Sequence, residues 1–405
     1  FDLSAHQVRM TDVEQKIVED CNQGENDNDD TAPSLHIIKP RVPNSFLADS
    51  HTSFILRHFA CHPTAYNSLD TNRITLLFFN LGSLELLNKI DLISDQDRQR
   101  IVKWIYSLQI TTAEGAPEDA CGFRGSFTHA SDPKVSVDDA TSSSRTPGAV
   151  HDVANLAQTY SALLSLAILG DDMSKVKRTA ILNTIRACQT DKGCFTSQGA
   201  GSECDMRFVY CAVSIAYILG DDSCIDWKRL GEFIRSAVAY DGGIGQTEGV
   251  ESHGGSTFCA IASLALANHL WDESVLSMQQ LHKLTRWAIL KQDRGFHGRA
   301  NKPDDSCYAF WIGATLEILN AHSMIDHSTL RSFLYSVQYP PLGGFCKLAE
   351  PGAHPDILHT YFSLAALSLM REPGMPQTNA ALNCSKRVHE AVARRRIQFA
   401  RQSHA

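Results

Sequence analysis

Helical stretches that are apolar on nearly every face recur along this sequence, and they predict helices buried on all sides. Five of them are rich in Ala, Ser and Gly: TYSALLSLAIL, RFVYCAVSIAYIL, STFCAIASLALA, CYAFWIGATLEIL and HTYFSLAALSLM. An earlier run, Ile74–Leu87, is also strongly apolar. Amphipathic helices are predicted between them, such as Ser174–Ala187 and Trp227–Val238. The pattern therefore predicts an inner layer of apolar helices and an outer layer of amphipathic ones.

A short glycine-containing turn that ends in an apolar residue precedes each of these five helices. The spacing of the turns is about 50 residues after a longer first interval, which is typical of arrays of helix pairs. The sequence therefore predicts an all-α fold, an α/α toroid whose inner helices all begin at one rim. The turns end at Phe123, Phe195, Ile244, Phe296 and Phe345.

Composition divides the chain into three parts. Residues 1–44 are predicted to be an acidic, partly disordered N-terminal arm, because Asn22–Ser34 is polar and has no apolar pattern. Residues 45–374 carry the repeats and form the predicted toroid, interrupted by a Gly-, Ser- and Pro-rich surface loop over 111–150. Residues 375–405 are predicted to be a basic helical tail.

The bulk properties exclude some classes of function. The net charge of -8 argues against nucleic acid as a main partner. No apolar run reaches the roughly 18 residues that a membrane span needs, so we expect no stable membrane insertion. The 12 cysteines contain no CxxC pair, and several lie in apolar helical runs. This distribution favours reduced thiols in a cytoplasmic protein over a disulfide framework.

The densest chemistry lies in Asp293–Trp311, DRGFHGRANKPDDSCYAFW, which leads directly into an apolar helix, Tyr308–Leu319. Asp305 and Cys307 are two residues apart, and across the bend into a first helical turn both side chains can point at one atom. A carboxylate and a thiolate suit zinc, which then needs a further ligand from elsewhere, ideally a histidine. Arg299 and Lys302 lie just upstream, and cations beside a helix N-terminus form an anion site.

The remaining ligand must come from another loop at the same rim. His253 and His359 each lie close to the start of an inner helix, and we expect them at equivalent rim positions in repeats that flank the Asp305 turn. Asp356 precedes His359 by three residues and can hydrogen-bond its ring. The simpler alternative is a helix whose start is capped by the short acceptors Asp304, Asp305 and Ser306, with a buried thiol and solvated charges.

The stretches GFHGRANKPDDSCYAFWIGATLEIL, DMRFVYCA, ESHGGSTFCA and HTYFSLAALSLM resemble the β subunits of protein prenyltransferases, most of all the type I geranylgeranyl-transferring members. The resemblance implies one catalytic Zn²⁺ per chain, a separate α subunit as heterodimer partner, and geranylgeranyl diphosphate as the lipid donor. It implies that the acceptors are cysteines of CaaX-ending proteins, such as small GTPases, with leucine favoured as the last residue.

The same resemblance assigns roles to individual residues. Zinc would be bound by Asp305, Cys307 and His359, with the substrate thiolate as the fourth ligand. The diphosphate would be held by His253, Arg299, Lys302 and Tyr308. The channel for lipid and peptide would be lined by Arg207, Phe208 and Trp311.

Four further positions bear on the type of prenyltransferase. Thr75 stands where farnesyl-transferring relatives carry a bulky Trp, and Phe362 where they carry Tyr. Lys347 stands where they carry an aspartate that helps to hold Mg²⁺, so the resemblance implies that Mg²⁺ is not required. Asn155 departs from the family, which usually has His there beside the last residue of the peptide.

Other functions remain open at this stage. Within the family, the alternatives are the farnesyl-transferring and Rab-directed types. A terpene cyclase shares the toroid but needs a DxDD motif inside the barrel, and the paired aspartates at 171–172, 221–222 and 304–305 lack the leading Asp. A thioester protein of the complement type needs GCGEQ, which the sequence does not contain. A non-catalytic toroid scaffold is the remaining alternative.

Overall fold

The computed structural model describes residues 45–114, 116–128 and 153–403. The predicted acidic arm and most of the predicted surface loop lie outside these residues. The described α-helices are α1 Ala48–Ala60, α2 Arg73–Leu86, α3 Asp95–Ser107, α4 Leu156–Ile168, α5 Arg178–Cys188, α6 Met206–Leu219, α7 Trp227–Ser236, α8 Gly254–Leu266, α9 Met278–Ile289, α10 Tyr308–Ile318, α11 His327–Ser336, α12 Ile357–Leu369 and α13 Lys386–Ser403. Three antiparallel pairs of two-residue strands accompany them: β1 Gln109–Ile110 with β2 Gly122–Phe123, β3 Phe345–Cys346 with β4 Pro355–Asp356, and β5 Thr378–Asn379 with β6 Cys384–Ser385.

The even-numbered helices from α2 to α12 form a closed inner ring. Each packs against the next, and α12 packs against α2. Nearly all residues of these six helices are buried, including small ones that let neighbouring helices approach. The predicted α/α toroid is therefore confirmed, with Ile74–Leu87 supplying the sixth inner helix.

The outer helices are amphipathic, and their observed ends differ slightly from the predicted ones. Helix α5 begins at Arg178 rather than Ser174. The carboxylate of Asp171 accepts a hydrogen bond from the Met173 N–H at 2.7 Å, and Met173 has a left-handed φ of 53°. The turn extends past Ser174, because the Ser174 N–H donates to the Asp172 carboxylate at 2.9 Å and the Val176 N–H donates to the Met173 carbonyl at 3.1 Å. Residues that helical periodicity alone assigns to the helix therefore belong to the turn. The predicted Trp227–Val238 helix is α7 and ends at Ser236.

The repeated turns join each outer helix to the following inner helix. Their five apolar residues are all fully buried. In each turn the apolar residue pairs as an antiparallel bridge with a residue just beyond the preceding outer helix, for example Gln189 with Phe195 and Val238 with Ile244. Gly242 takes a φ of 102°, and a Cβ there would meet the backbone of Lys283 on α9. The turn therefore requires glycine at this position.

One hydrogen bond recurs around the ring and sets its register. A backbone N–H within two residues of the start of an inner helix donates to the carbonyl that lies two residues past an apolar turn residue. These N–H groups have no acceptor within their own helix, so the next turn satisfies them. The pairs are Ile74 with Gly125, Leu156 with Ser197, Met206 with Gln246, Gly254 with Gly298, and Ser306 with Lys347, at 2.8–3.0 Å.

The ring closes where its last repeat meets the first helices. The N–H of Ile357 donates to the Tyr66 hydroxyl at 2.9 Å, which replaces the carbonyl used elsewhere. On α1, the His51 Nδ1 accepts from the Gly344 N–H at 2.9 Å. Its Nε2 lies 2.9 Å from the Gln338 side-chain oxygen, so the ring donates there. Both ring nitrogens of this fully buried histidine therefore form hydrogen bonds that join α1 to the last repeat.

The C-terminal segment packs against the inner helices. Hydroxyl groups of Tyr210, Tyr160 and Tyr361 donate to the successive carbonyls of residues 381, 382 and 383 at 3.0, 3.3 and 2.7 Å. Helix α13 follows, and its Arg387 pairs with buried Glu85 of α2 at 2.7 Å. The basic tail therefore begins with a charge that neutralises a buried carboxylate of the ring.

Two sequence expectations concern the environment of the chain. Over the described residues, no helix combines the length and apolarity that crossing a bilayer requires. The cysteines from Cys61 to Cys384 are all free thiols, and most are buried.

Acid should destabilise the toroid through His51. Burial lowers the pKa of His51 to about 4, although the Gln338 hydrogen bond opposes this. Below the ordinary value of 6.5 the unfolded chain binds a proton that the folded chain excludes, so stability falls as the pH drops from 6.5 towards 4. The shift corresponds to about 3 kcal/mol. Urea unfolding at several pH values should show a shallower acid loss for His51→Gln, whereas exposed His282→Gln should keep the wild-type slope. Equal slopes for all three proteins would contradict this role.

Candidate active site

Three potential metal ligands from two loops meet at the rim. Each residue contributes one potential ligand atom, and the three atoms lie within 4.8 Å of one another; the residues are Asp305, Cys307 and His359. The Asp305 Oδ1 and His359 Nε2 atoms are 3.4 Å apart. One carboxylate oxygen, one sulfur and one imidazole nitrogen form a donor set that suits Zn²⁺. The residues present therefore fit a metal ion at this position.

Local backbone structure places these ligands. The Asp305 carboxylate accepts a hydrogen bond from the Cys307 N–H at 2.9 Å, which folds the two side chains together just before α10. Asp356 caps α12 by accepting from the His359 N–H at 2.8 Å. Its other oxygen lies 2.6 Å from the His359 Nδ1, so Nε2 is left facing Asp305. The predicted contact between Asp356 and His359 is present.

The electrostatics of this group favour a cation. Although burial opposes it, hydrogen bonds from His359 and Cys307 lower the pKa of Asp305. Burial, then the charge of Asp305, raise the pKa of the Cys307 thiol. Burial disfavours a charged His359, but Asp305 and Asp356 raise its pKa to about 9. Thiol and imidazolium therefore hold protons that a bound metal would displace.

Lys347 lies beside the metal-ligand group. Its ammonium Nζ is 3.8 Å from the Asp305 Oδ2, and the side chain is largely exposed. Its carbonyl accepts the repeated hydrogen bond from the Ser306 N–H. The backbone register thus fixes where this cation stands, while the exposed side chain has room to turn towards a ligand.

His253 and Tyr308 form a hydrogen-bonded pair on the other side of Cys307. The His253 Nδ1 accepts the N–H groups of Gly255 and Ser256 at 3.1 and 3.3 Å, so it caps α8. The proton of a neutral ring is then on Nε2, which lies 2.8 Å from the Tyr308 hydroxyl. Burial and the charge of Arg299 lower the pKa of His253. Nε2 therefore donates, and the hydroxyl proton of Tyr308 is available to another acceptor.

The charge of Arg299 acts on both members of this pair. Arg299 and Lys302 are exposed in the loop before α10. Arg207 also acts electrostatically on His253, and its guanidinium pairs with the α6 cap Asp205 at 2.6 Å while lying over the Phe208 ring. Tyr308 keeps its proton because burial raises its pKa to about 12. The arrangement offers hydrogen-bond donors and positive charge to an anion.

Aromatic side chains continue from the rim into the ring. Trp311 is half-buried and lies 4.2 Å from Phe362 and 5.1 Å from Phe258, measured between ring centroids. Thr75 is half-buried on α2, and its hydroxyl bonds Gln158 and Ser161 of α4 at 2.9 and 3.2 Å. These side chains supply an apolar surface with few free polar groups.

Asn155 has a structural role that its sequence context did not reveal. Its side-chain oxygen accepts from the Ala157 and Gln158 N–H groups at 2.9 and 3.4 Å, so it caps α4. Asp205, His253 and Asp356 cap α6, α8 and α12 in the same way. These four rim residues are therefore helix caps, whereas the helix that follows Cys307 has no side-chain cap.

Two details differ from the sequence analysis. His253 and His359 are not at equivalent positions, because His253 is a cap and His359 lies three residues inside the helix after cap Asp356. Asp304 serves the preceding turn rather than α10, since its carboxylate accepts from the Arg294 and Gly295 N–H groups at 3.0 and 2.7 Å. Short polar side chains satisfy whichever free N–H the fold brings near.

Sequence reasoning missed a second possible metal-ligand group in the described chain. It consists of Asp293, His297 and Asp304, with the His297 Nδ1 lying 3.4 and 3.9 Å from the two carboxylates. Asp293 is exposed, and Asp304 is already used by backbone N–H groups. All three residues lie in the loop between α9 and α10, and their closeness in sequence was the feature that could have indicated this group.

Known proteins resemble this chain over most of its length. Residues 46–384 match the prenyltransferase alpha-alpha toroid domain. The chain is 38% identical to the geranylgeranyl transferase type-1 subunit beta of Dictyostelium discoideum, over 82% of this chain and 94% of that protein. It is 36% identical to the Arabidopsis thaliana counterpart, over 82% and 87%.

A solved structure agrees with these sequence matches. The Candida albicans protein geranylgeranyltransferase-I complexed with GGPP superposes with a TM-score of 0.75 at 26% identity, covering 87% of this chain and 99% of that one. The chain therefore belongs to the prenyltransferase α-α toroid family, among the β subunits of type 1 geranylgeranyl transferases.

Proposed function

We propose that this chain is the catalytic β subunit of a zinc-dependent enzyme that transfers geranylgeranyl from geranylgeranyl diphosphate to the cysteine of CaaX-ending proteins. The observation that carries the proposal is that two groups lie next to each other at one rim. The metal-ligand group contains Asp305 and Cys307, and the next residue, Tyr308, belongs to the group that offers hydrogen bonds and positive charge to an anion. Its partner is a prenyltransferase α subunit, and its acceptors are small GTPases and similar proteins ending in CaaX, with leucine favoured last. The free thiols favour a reducing compartment, the cytoplasm.

The residues divide the chemistry between them. Asp305, Cys307 and His359 would hold one Zn²⁺, which would supply a thiolate nucleophile at neutral pH by lowering the pKa of a bound substrate thiol. The Tyr308 hydroxyl donates a hydrogen bond to the diphosphate and keeps its proton, and Arg299 and Lys302 neutralise the charge that grows as the C–O bond breaks. His253 holds the Tyr308 hydroxyl in place. Thr75, Arg207, Phe208, Trp311, Phe362 and Asn155 line the lipid and peptide channel.

A two-by-two assay tests this function. This chain, assembled with a prenyltransferase α subunit, is given farnesyl or geranylgeranyl diphosphate and either a CaaX or a Rab acceptor. The proposal predicts the highest kcat/KM for geranylgeranyl diphosphate with CaaX. A preference for farnesyl diphosphate or for Rab would move the chain to another prenyltransferase type, and no transfer to either acceptor would favour a scaffold.

The zinc assignment predicts a specific loss. Cys307→Ala should remove most of the bound zinc and nearly all turnover, because two donors cannot replace three. The helices should persist, since the fold rests on apolar packing. Elemental analysis with circular dichroism measures both effects. Cys346→Ala, which removes a neighbouring buried thiol outside the metal group, should retain zinc. Full zinc occupancy in Cys307→Ala would exclude Cys307 as a ligand.

Lipid length should depend on Thr75. In Thr75→Trp the indole fills space beside α4, and preference should shift towards the 15-carbon diphosphate. One isoprene unit corresponds to several kcal/mol at about 0.8 kcal/mol per buried methylene. The ratio of kcat/KM values for the two lipids measures the shift, and Thr75→Ser should leave that ratio unchanged. An unchanged ratio in the Trp variant would remove Thr75 from the channel wall.

Lys347 should make Mg²⁺ unnecessary. The Lys347 side chain is largely exposed and can turn from Asp305 towards the leaving diphosphate. There its ammonium would neutralise the growing charge itself and would repel a Mg²⁺ ion bound to the same diphosphate. Wild-type turnover should therefore need zinc but stay nearly flat as Mg²⁺ is titrated. Lys347→Asp should slow the Mg²⁺-free reaction and gain a response to Mg²⁺, whereas Lys347→Gln should be slow without gaining one. A wild-type rate that climbs steeply with Mg²⁺ would contradict this role.

A further inference from the structure

The Tyr308 ring lies against two glycines that belong to different rim loops. A Cβ added to Gly298 would overlap the tip of the ring, at Cζ, Cε1 and the hydroxyl oxygen. A Cβ added to Gly254 would come within 2.9 Å of Cδ1, at the base of the ring. Real Cβ atoms essentially never approach closer than 3.0 Å. The space that two side chains would normally occupy is therefore filled by one aromatic ring.

The two glycines are joined directly to each other. The Gly254 N–H donates to the Gly298 carbonyl at 2.9 Å, which is this repeat's copy of the bond that sets the ring register. Gly254 is the first residue of α8 and follows His253, whereas Gly298 precedes Arg299. We call Gly254 and Gly298 the glycine slot. Its two residues are held by a register hydrogen bond of the ring, and each is adjacent in sequence to a residue proposed to serve the anion site, His253 or Arg299.

We propose that the glycine slot positions Tyr308 for the leaving diphosphate, with Gly298 as the residue that decides where the hydroxyl stands. The inference rests on the proposed function and adds a positioning role to residues without side chains. The ring is attached to the backbone at its base, which lies against Gly254. A side chain at Gly298 would therefore displace the opposite end of the ring, which carries the hydroxyl. The Tyr308 hydroxyl would then lose the 2.8 Å contact with the His253 Nε2 that orients its proton.

The steric conflict falls on the movable end of a side chain rather than on backbone. In Gly298→Ala the nearest atoms are the tip of the Tyr308 ring, which can turn aside while the loop keeps its path. At Gly193, by contrast, a Cβ would strike the backbone carbonyl of Arg229. We therefore expect Gly298→Ala to fold, to bind zinc and to misplace one hydroxyl group. A displacement of this kind can cost about 100-fold in rate.

A double-mutant cycle with Tyr308→Phe separates positioning from general damage. Phenylalanine keeps the ring, so the steric cost of Gly298→Ala to thermal stability should be similar in both backgrounds. It has no hydroxyl to misplace, so the effect of Gly298→Ala on affinity for geranylgeranyl diphosphate should shrink to about twofold, the limit expected of independent changes. The assembled enzyme with its α subunit is used throughout, and lipid affinity is measured by competition.

Gly295→Ala is the matched control in the same loop. Its Cβ would overlap the Phe333 ring of α11, so it imposes a comparable clash away from Tyr308. Its effect on lipid affinity should be the same in the wild-type and Tyr308→Phe backgrounds, because it does not act through the Tyr308 hydroxyl. Geranylgeraniol, which lacks the diphosphate, should bind the Gly298→Ala and wild-type enzymes equally well.

The outcomes distinguish this inference from the proposed function. Wild-type affinity in Gly298→Ala, or a loss that persists in full in the Tyr308→Phe background, would overturn the positioning role. An enzyme that binds geranylgeranyl diphosphate but transfers no lipid would overturn the proposed function. The double-mutant cycle would still test the positioning role of the glycine slot, because it measures lipid affinity and not turnover. A wild-type enzyme that binds no lipid diphosphate would overturn both.

Discussion

A hydrogen bond from the start of each inner helix to the next turn holds the ring in register, and the site depends on it. The donor has no partner within its own helix, and the acceptor always lies two residues past the buried apolar residue of a turn. Because each bond joins one repeat to the next, it fixes the offset of neighbouring loops at the rim. At the seam the Tyr66 hydroxyl takes the place of the carbonyl, so even the irregular closure satisfies the same donor.

This register explains why unrelated side chains converge. Gly298 and Lys347 occupy the same position in consecutive repeats, two residues past Phe296 and Phe345. One repeat places a cation there, 3.8 Å from Asp305. The other places no side chain, and the Tyr308 ring fills the space. The repeat supplies equivalent backbone positions, and the choice of residue at each one gives the rim its chemistry.

The sequence predicted the inner helices and turns well because burial on every side leaves an unbroken apolar pattern. It predicted Asp305 and Cys307 as a ligand pair from their spacing, whereas the assignment of His359 and Lys347 came from family resemblance. It did not predict the glycine slot, since a glycine gives no sign of which ring will fill its place. It also misjudged the start of α5, where Asp171 diverts the chain into a turn before the helix begins. Such errors arise where a polar side chain competes with helical backbone bonding.

The two histidines of the rim show how capping and chemistry are combined. Carboxylates of Asp305 and Asp356 raise the pKa of His359, while burial and the charge of Arg299 lower that of His253. The same side chain thus serves opposite electrostatic needs, set by its neighbours. Helix α12 is capped by a carboxylate, on the side where a metal ion would bind. Helix α8 is capped by an imidazole nitrogen, although Asp is among the preferred cap residues. A carboxylate there would place negative charge beside Arg299 and oppose an anion, so the neutral cap preserves the positive field around Arg299.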